Sequence, residues 1–192
     1  MFPNLRSIFA GWEEIRETIA EPTFLTHLAT MDYTERDLAP FSIQPSLQSI
    51  CLKVASRLES FSGVSGMPTL TTLRVAAAPR LCDLDELDEA NATLREFDLE
   101  ACTSVDDLAA IEPLRELRFL GLSDCGPISS FNPLESLRRL ERLYAWGSTR
   151  VLDGDLSPLM HLTNLMEIRM RDRRDYRPPL AEVKAQLGLL DG

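Results

Sequence analysis

Histidine and lysine are almost missing from this 192-residue chain, which has two of each beside 18 arginines. With only His27 and His161 available, there is little from which to build imidazole chemistry. The four cysteines, Cys51, Cys82, Cys102 and Cys125, contain no C-x-x-C pair, and no His, Cys, Asp or Glu residues fall at metal-ligand spacing. G-x-S-x-G, H-E-x-x-H, G-x-x-x-x-G-K-[ST] and G-x-G-x-x-G are also missing, which removes the common hydrolase, metalloprotease and nucleotide signatures. The expectation is a non-enzymatic protein with no cofactor and no metal. No apolar run approaches the roughly 20 residues that cross a bilayer. The opening MFPNLRSIFAGWEEI has no basic leader followed by an apolar stretch, so a cytoplasmic protein with reduced thiols and no membrane contact is expected. The arginine bias fits a GC-rich, bacterial coding sequence.

Positive charge is short overall: 30 acidic residues face 20 basic ones, for a net charge of −10. Such a balance repels polyanions, so nucleic acid is not an expected partner. The deficit is uneven. Residues 1–112 carry 8 Lys and Arg against 19 Asp and Glu, a net −11, whereas residues 113–192 carry 12 against 11, a net +1.

What the chain has in abundance is a repeated apolar frame. One unit runs Leu47, Ile50, Leu52, Leu58, Phe61, Val64 and Met67, and the frame restarts at Leu70 with Leu73, Val75, Leu81, Leu84, Leu87 and Ala90. A third unit takes Leu94, Phe97, Leu99, Val105, Leu108, Ile111 and Leu114; a fourth takes Leu117, Leu120, Leu122, Ile128, Phe131, Leu134 and Leu137. With 44% apolar residues, 28 such successes in 28 positions have a chance on the order of 10⁻¹⁰ for a fixed frame. A fifth unit (Leu140, Leu143, Ala145, Val151) carries a small insertion before Leu159 and Leu162, and a sixth (Leu165, Ile168, Met170) fades after Tyr176. In L-x-x-L-x-L the fourth and sixth residues share one side of an extended chain and the third, fifth and seventh share the other. The period-three stripe that follows suits a 3₁₀ turn on the opposite wall. No unit covers its own interior, so neighbouring coils must stack.

This pattern, over residues 45–176, resembles the leucine-rich repeat family, in its short internalin-like and phosphatase-regulator-like class. The resemblance implies an α/β solenoid: a right-handed superhelix of about five to six repeats with a parallel, concave β-sheet and a helical N-terminal cap. The family places asparagine three residues beyond the sixth position, where its amide satisfies the turn. The matching residues here are Ala55, Ala78, Cys102, Cys125, Ser148 and Arg173. Cysteine can serve as a small weak donor but alanine cannot, so looser first turns are expected, with Cys102 and Cys125 as a buried pair in adjacent coils.

Residues 1–44 are expected to cover one end of the array. Trp12, Ile15 and Ile19 share one face of a helix predicted over Gly11–Glu21, which Pro22 stops. Thr23–Ala39 reads equally as a second helix or as a degenerate first repeat. At the other end, residues 177–192 are expected to form a capping segment after Pro178-Pro179, with Leu180, Val183 and Leu187 on a short helix ended by Gly188.

The outward strand positions form a grid. Its third-position column is Ser49, Thr72, Glu96, Phe119, Arg142 and Glu167; the fifth is Cys51, Arg74, Asp98, Gly121, Tyr144 and Arg169; the seventh is Lys53, Ala76, Glu100, Ser123, Trp146 and Arg171. Glu96, Asp98 and Glu100 make an acidic row, which suits either a binding flank or a solvated edge that blocks sheet association. Phe119, Arg142, Tyr144, Trp146, Arg169 and Arg171 combine the residue types that dominate interface centres. Alternatively, Trp146 folds over the small Ala145 and the arginines cover the rings. A second acidic run, Asp83, Asp85, Glu86, Asp88 and Glu89 with Asp106 and Asp107, falls on the turn side, where solvation or steering of a basic partner would account for it. The functional expectation is a module, monomeric when free, that binds a protein on its concave face. One form of it is a bacterial immunity protein, an inhibitor that masks a basic toxin or enzyme domain. A self-associating scaffold is the alternative.

Overall fold

The computed structural model describes residues 5–87 and 91–189. Eight parallel strands form one open sheet: β1 (Ser7–Gly11), β2 (His27–Met31), β3 (Ser49–Leu52), β4 (Thr72–Ala76), β5 (Glu96–Glu100), β6 (Phe119–Ser123), β8 (Arg142–Ala145) and β10 (Glu167–Met170). Each pairs with the next at the same repeat position; Ser49, Thr72, Glu96, Phe119, Arg142 and Glu167 lie in one row across the sheet. The opposite wall is built from 3₁₀ turns at Ala39–Phe41, Val64–Gly66, Ala109–Ile111, Asn132–Ser136 and Ser157–His161. A small second sheet pairs β7 (Pro127–Ile128) with β9 (Arg150–Val151).

The apolar frame is the core. Every framed residue of the first four units that is described is at most 3% exposed; Ala90 lies outside the described residues, as do Asp88 and Glu89. Coils stack so that one interior is sealed by the next, which is the packing the period required.

The N-terminal part departs from the expected helical cap. The helix expected over Gly11–Glu21 is confined to α1 (Trp12–Ile15), and the segments before and after it supply β1 and β2. The physical reason is a hidden L-x-x-L-x-L frame in which small or polar residues occupy the sixth place: Leu5, Ile8, Ala10, and then Leu25, Leu28, Thr30. Thr30 is tolerated there, fully buried, because its hydroxyl donates to the Ala10 carbonyl at 2.9 Å. Of the two readings of Thr23–Ala39, the degenerate repeat matches what is observed. Trp12, Ile15 and Ile19 remain buried, with the Trp12 ring edge-on to Tyr33 at 4.7 Å. Gln44 ties this segment down: its amide donates to the Ile19 and Glu21 carbonyls at 2.8 and 2.7 Å and accepts from the Thr23 N–H at 2.8 Å.

The turns after the strands are closed without asparagine. Cys102 Sγ lies 3.6 Å from the Glu100 carbonyl and Cys125 Sγ 3.4 Å from the Leu99 carbonyl, both as buried free thiols. The neighbouring Cys102 thiol, and then burial, push the Cys125 thiol up. In the fifth coil the role falls one residue later than expected: Ser148 is exposed, and Thr149, only 2% exposed, accepts from the Cys125 N–H at 3.0 Å and donates to the Leu122 carbonyl. Gly147, with a φ of +71°, takes the left-handed turn that Asp32, Ala77, Ala101 and Asp124 take in the preceding coils, and a Cβ there would meet Asp124 Oδ1 at 2.1 Å. Where alanine stands, backbone bonds between coils hold the turn; the Ala55 N–H donates to the Ala76 carbonyl at 3.2 Å. The first turns are closed rather than loose.

A second ladder runs along the turn side. Side-chain oxygens of Asp37, Ser60, Asp83, Asp107, Ser130 and Asp153 each accept from the backbone N–H two residues on. Part of the acidic run therefore shapes the coils. Glu86 likewise accepts from the Gly63 N–H in the preceding coil at 2.6 Å. At the far end, α2 (Leu180–Gln186) buries Leu180 and Val183 and ends where Gly188 takes a φ of +70°. No described helix is long and apolar enough to cross a membrane.

Candidate functional site

The concave grid follows the expected register. The fifth-position column reads Cys51, Arg74, Asp98, Gly121, Tyr144 and Arg169 across adjacent strands, and it extends upstream to Ala29 and Phe9. Inward residues at the fourth and sixth places lock each strand into the core, so the outward side chains project from a rigid sheet.

On β5 the acidic row divides into three environments. Glu96 is paired with Arg74 of β4 at 2.7 Å, and this bond holds the Arg74 guanidinium above its ordinary pKa. Asp98 leans across to β6: a Cβ built on Gly121 would come within 1.9 Å of Asp98 Oδ1 and 3.2 Å of Phe119 Cζ. The missing side chain of Gly121 is therefore the seat of the Asp98 carboxylate. Burial there raises the Asp98 pKa, with Arg74 opposing the shift and Glu100 and Glu96 adding to it. Glu100 points to solvent.

Strands β6, β8 and β10 carry a continuous aromatic and arginine cluster. Phe119 meets Tyr144 edge-on, with ring centroids 5.1 Å apart. Arg142 stacks over Phe119 at 4.9 Å, Arg169 over Tyr144 at 4.6 Å, and Arg171 lies 6.0 Å from the Trp146 ring. The Tyr144 hydroxyl donates to Glu167 Oε2 at 2.8 Å while Arg169 Nε donates to Glu167 Oε1 at 2.6 Å. These two bonds, the tyrosine's first, hold the Glu167 carboxyl below its ordinary range. Phe119 is only 7% exposed, so it supports the cluster from beneath, whereas Trp146 is 53% exposed and its ring is open to solvent. The arginines do lie over the rings, and Trp146 presents an exposed surface beside a buried Ala145. A cleft of about 660 Å³ opens next to it, lined by Ser123, Tyr144, Trp146, Met166, Arg169 and Lys184, among others.

The nine residues expected to bind a partner are brought onto one face, seven of them on the strands β5, β6, β8 and β10, with Trp146 and Arg171 directly after β8 and β10. The sequence reading missed Phe9, which is exposed on β1 with Lys53 Nζ 5.6 Å from its ring, and His27, which is exposed at the start of β2. The Leu5-x-x-Ile8-x-Ala10 and Leu25-x-x-Leu28-x-Thr30 frames are the signals that locate the two strands. His27 Nδ1 lies against the Thr26 hydroxyl at 2.9 Å, and His161 is on the 3₁₀ wall 3.8 Å from Glu135. Among the described residues no group of three His, Cys, Asp or Glu side chains could hold a metal ion. The arrangement is suited to holding a surface by stacking and charge.

No model of a known protein family matches the chain, and no curated protein matches it. Solved structures do. An internalin, InlF of Listeria monocytogenes, superposes with a TM-score of 0.57 at 15% identity over 98% of this chain and 60% of its own. Internalin C2 of the same organism superposes with a TM-score of 0.55 at 19% identity over 92% of this chain and 74% of its own. The chain thus spans about three fifths of the first of these and about three quarters of the second. At these identities the likeness is one of fold, and the fold is the leucine-rich repeat solenoid.

Proposed function

We propose that this leucine-rich repeat solenoid is a non-enzymatic protein-binding module whose partner docks on the concave face around Tyr144 and Trp146. The observation that carries this reading is the half-exposed Trp146 ring, set beside Tyr144 on a rigid sheet with arginines stacked on the aromatic faces. Aromatic rings on a preformed surface bury much area with few rotors to freeze, and they bind tightly for that reason. Glu96, Asp98, Glu100, Phe119, Arg142, Arg169 and Arg171 form the surrounding frame. In this proposal the module acts in the bacterial cytoplasm as an inhibitor, an immunity-type protein that masks a toxin or enzyme domain. The acidic strand β5 would meet a basic element of that partner.

The test is a binding titration with the partner recovered from the native organism. Tyr144→Ala combined with Trp146→Ala should weaken binding by roughly 30-fold or more, since aromatic anchors contribute over about 1 kcal/mol each. A variant that stays folded and binds within about threefold of wild type would remove the concave face from the interface.

A further inference from the structure

The concave face is electrically two-sided, and its basic side is incomplete. On β4 and β5 the outward residues are Thr72, Arg74, Ala76, Glu96, Asp98 and Glu100, a net −2; on β8 and β10 with the turns that follow they are Arg142, Tyr144, Trp146, Glu167, Arg169 and Arg171, a net +2. The neutral trio Phe119, Gly121 and Ser123 separates them. Within the basic half, Arg169 is satisfied by Glu167. Arg142 and Arg171 are each held against a ring, and among the described residues neither has a carboxylate in ion-pair contact. A guanidinium lying over a ring without an ion-pair partner still has N–H groups to donate, and a carboxylate can accept two of them in parallel. The cleft next to Trp146 is also walled by the exposed Met166, which adds apolar surface near the cationic residues of this half.

Resting on the proposed concave-face reading, we infer that the segment of the partner lying over β8 and β10 is acidic, with carboxylates alternating with apolar side chains. Its carboxylates pair with Arg142 and Arg171, and its apolar residues enter the cleft between Trp146 and Met166. The charge complementarity is local. It runs against the net charge of −10, so binding of an acidic segment is a property of this half of the face alone. The partner surface is then bipolar: acidic here, and basic two to three strand spacings away over Asp98 and Glu100, a separation of about 10–14 Å.

A short blocked peptide alternating glutamate and leucine serves as the probe, with Trp146 fluorescence as the readout; the buried Trp12, bonded to Glu35, is the internal reference. Saturable binding at low ionic strength is expected. It should weaken about tenfold in Arg142→Gln combined with Arg171→Gln, which remove exposed charges without disturbing the core. Binding should also weaken as salt rises. Stronger binding of the matching lysine–leucine peptide, or of an oligouridylate, would overturn the acidic assignment, as would no saturable binding of any probe or an unchanged affinity in the double arginine variant. If the lysine peptide binds and calorimetry shows that binding lost with Tyr144→Ala and Trp146→Ala, the concave-face reading survives and only the sign of the partner is wrong.

Discussion

Thr149 provides a sharp check on how the coils are closed. Its hydroxyl oxygen accepts from the Cys125 N–H and donates to the Leu122 carbonyl, bridging two coils at a fully enclosed position. Thr149→Val keeps the branched shape and removes only the hydroxyl, so no cavity opens. One backbone donor and one backbone acceptor are left buried without this partner, at about 1–3 kcal/mol each. The combined loss is roughly 2–6 kcal/mol, which at about 2–4 °C per kcal/mol for a chain of this size lowers the thermal midpoint by at least about 4 °C. Exposed Ser148, the residue that repeat counting puts at this place, should tolerate alanine within about 0.5 kcal/mol. Paired thermal melts, with hydrogen exchange at the Cys125 amide as the local readout, decide the matter. If Thr149→Val matches wild type while Ser148→Ala is the damaging change, the assignment of the shifted turn is wrong.

Two further outcomes follow from the same geometry. Asp98 has a raised folded pKa, so its ionised form opposes folding and the wild type gains stability as pH falls through that value toward the ordinary 3.8. Asp98→Asn should therefore raise the melting midpoint at pH 7, with the difference shrinking to nothing in acid; an Asn variant less stable at neutral pH would show that the carboxylate is held favourably. Gln44→Leu strips the Ile19 and Glu21 carbonyls and the Thr23 N–H of their partner, at a cost of roughly 3 kcal/mol or more, about 1–3 for each group. Limited proteolysis should then cut ahead of Thr23 while β3 onward stays protected, and an unchanged digestion pattern would refute the tie.

The array from Leu47 onward was legible because leucine, isoleucine and phenylalanine occupy its inward places, and apolar period is the strongest signal a single sequence offers. Of the two earlier coils the first was not, and the second was legible only as one of two alternatives, because Thr30 and Ala10 stand where leucine is expected and because Trp12, Ile15 and Ile19 mimic a helical stripe. Only a tertiary partner, the Ala10 carbonyl, makes a buried Thr30 acceptable. The ladder of Asp37, Ser60, Asp83, Asp107, Ser130 and Asp153 repeats at nearly the same interval but was hidden among other acidic residues, so Asp83 and Asp107 read as surface charge. On the concave face, strand parity gave the grid of outward residues directly. It did not show that Asp98 occupies the space over Gly121, or that Phe119 lies beneath Arg142 and leaves Trp146 as the open ring, since side-chain direction depends on neighbouring strands.

The claim on which the rest depends is that a protein partner sits on the concave face at the β8 to β10 end. Photocrosslinking tests it most directly, with a benzophenone side chain placed at position 146 in one variant and at position 86 on the turn side in another, each mixed with the partner recovered from the native organism. The account predicts a crosslink from position 146 that Tyr144→Ala diminishes, and none from position 86. Efficient crosslinking from position 86 with none from position 146 would contradict it.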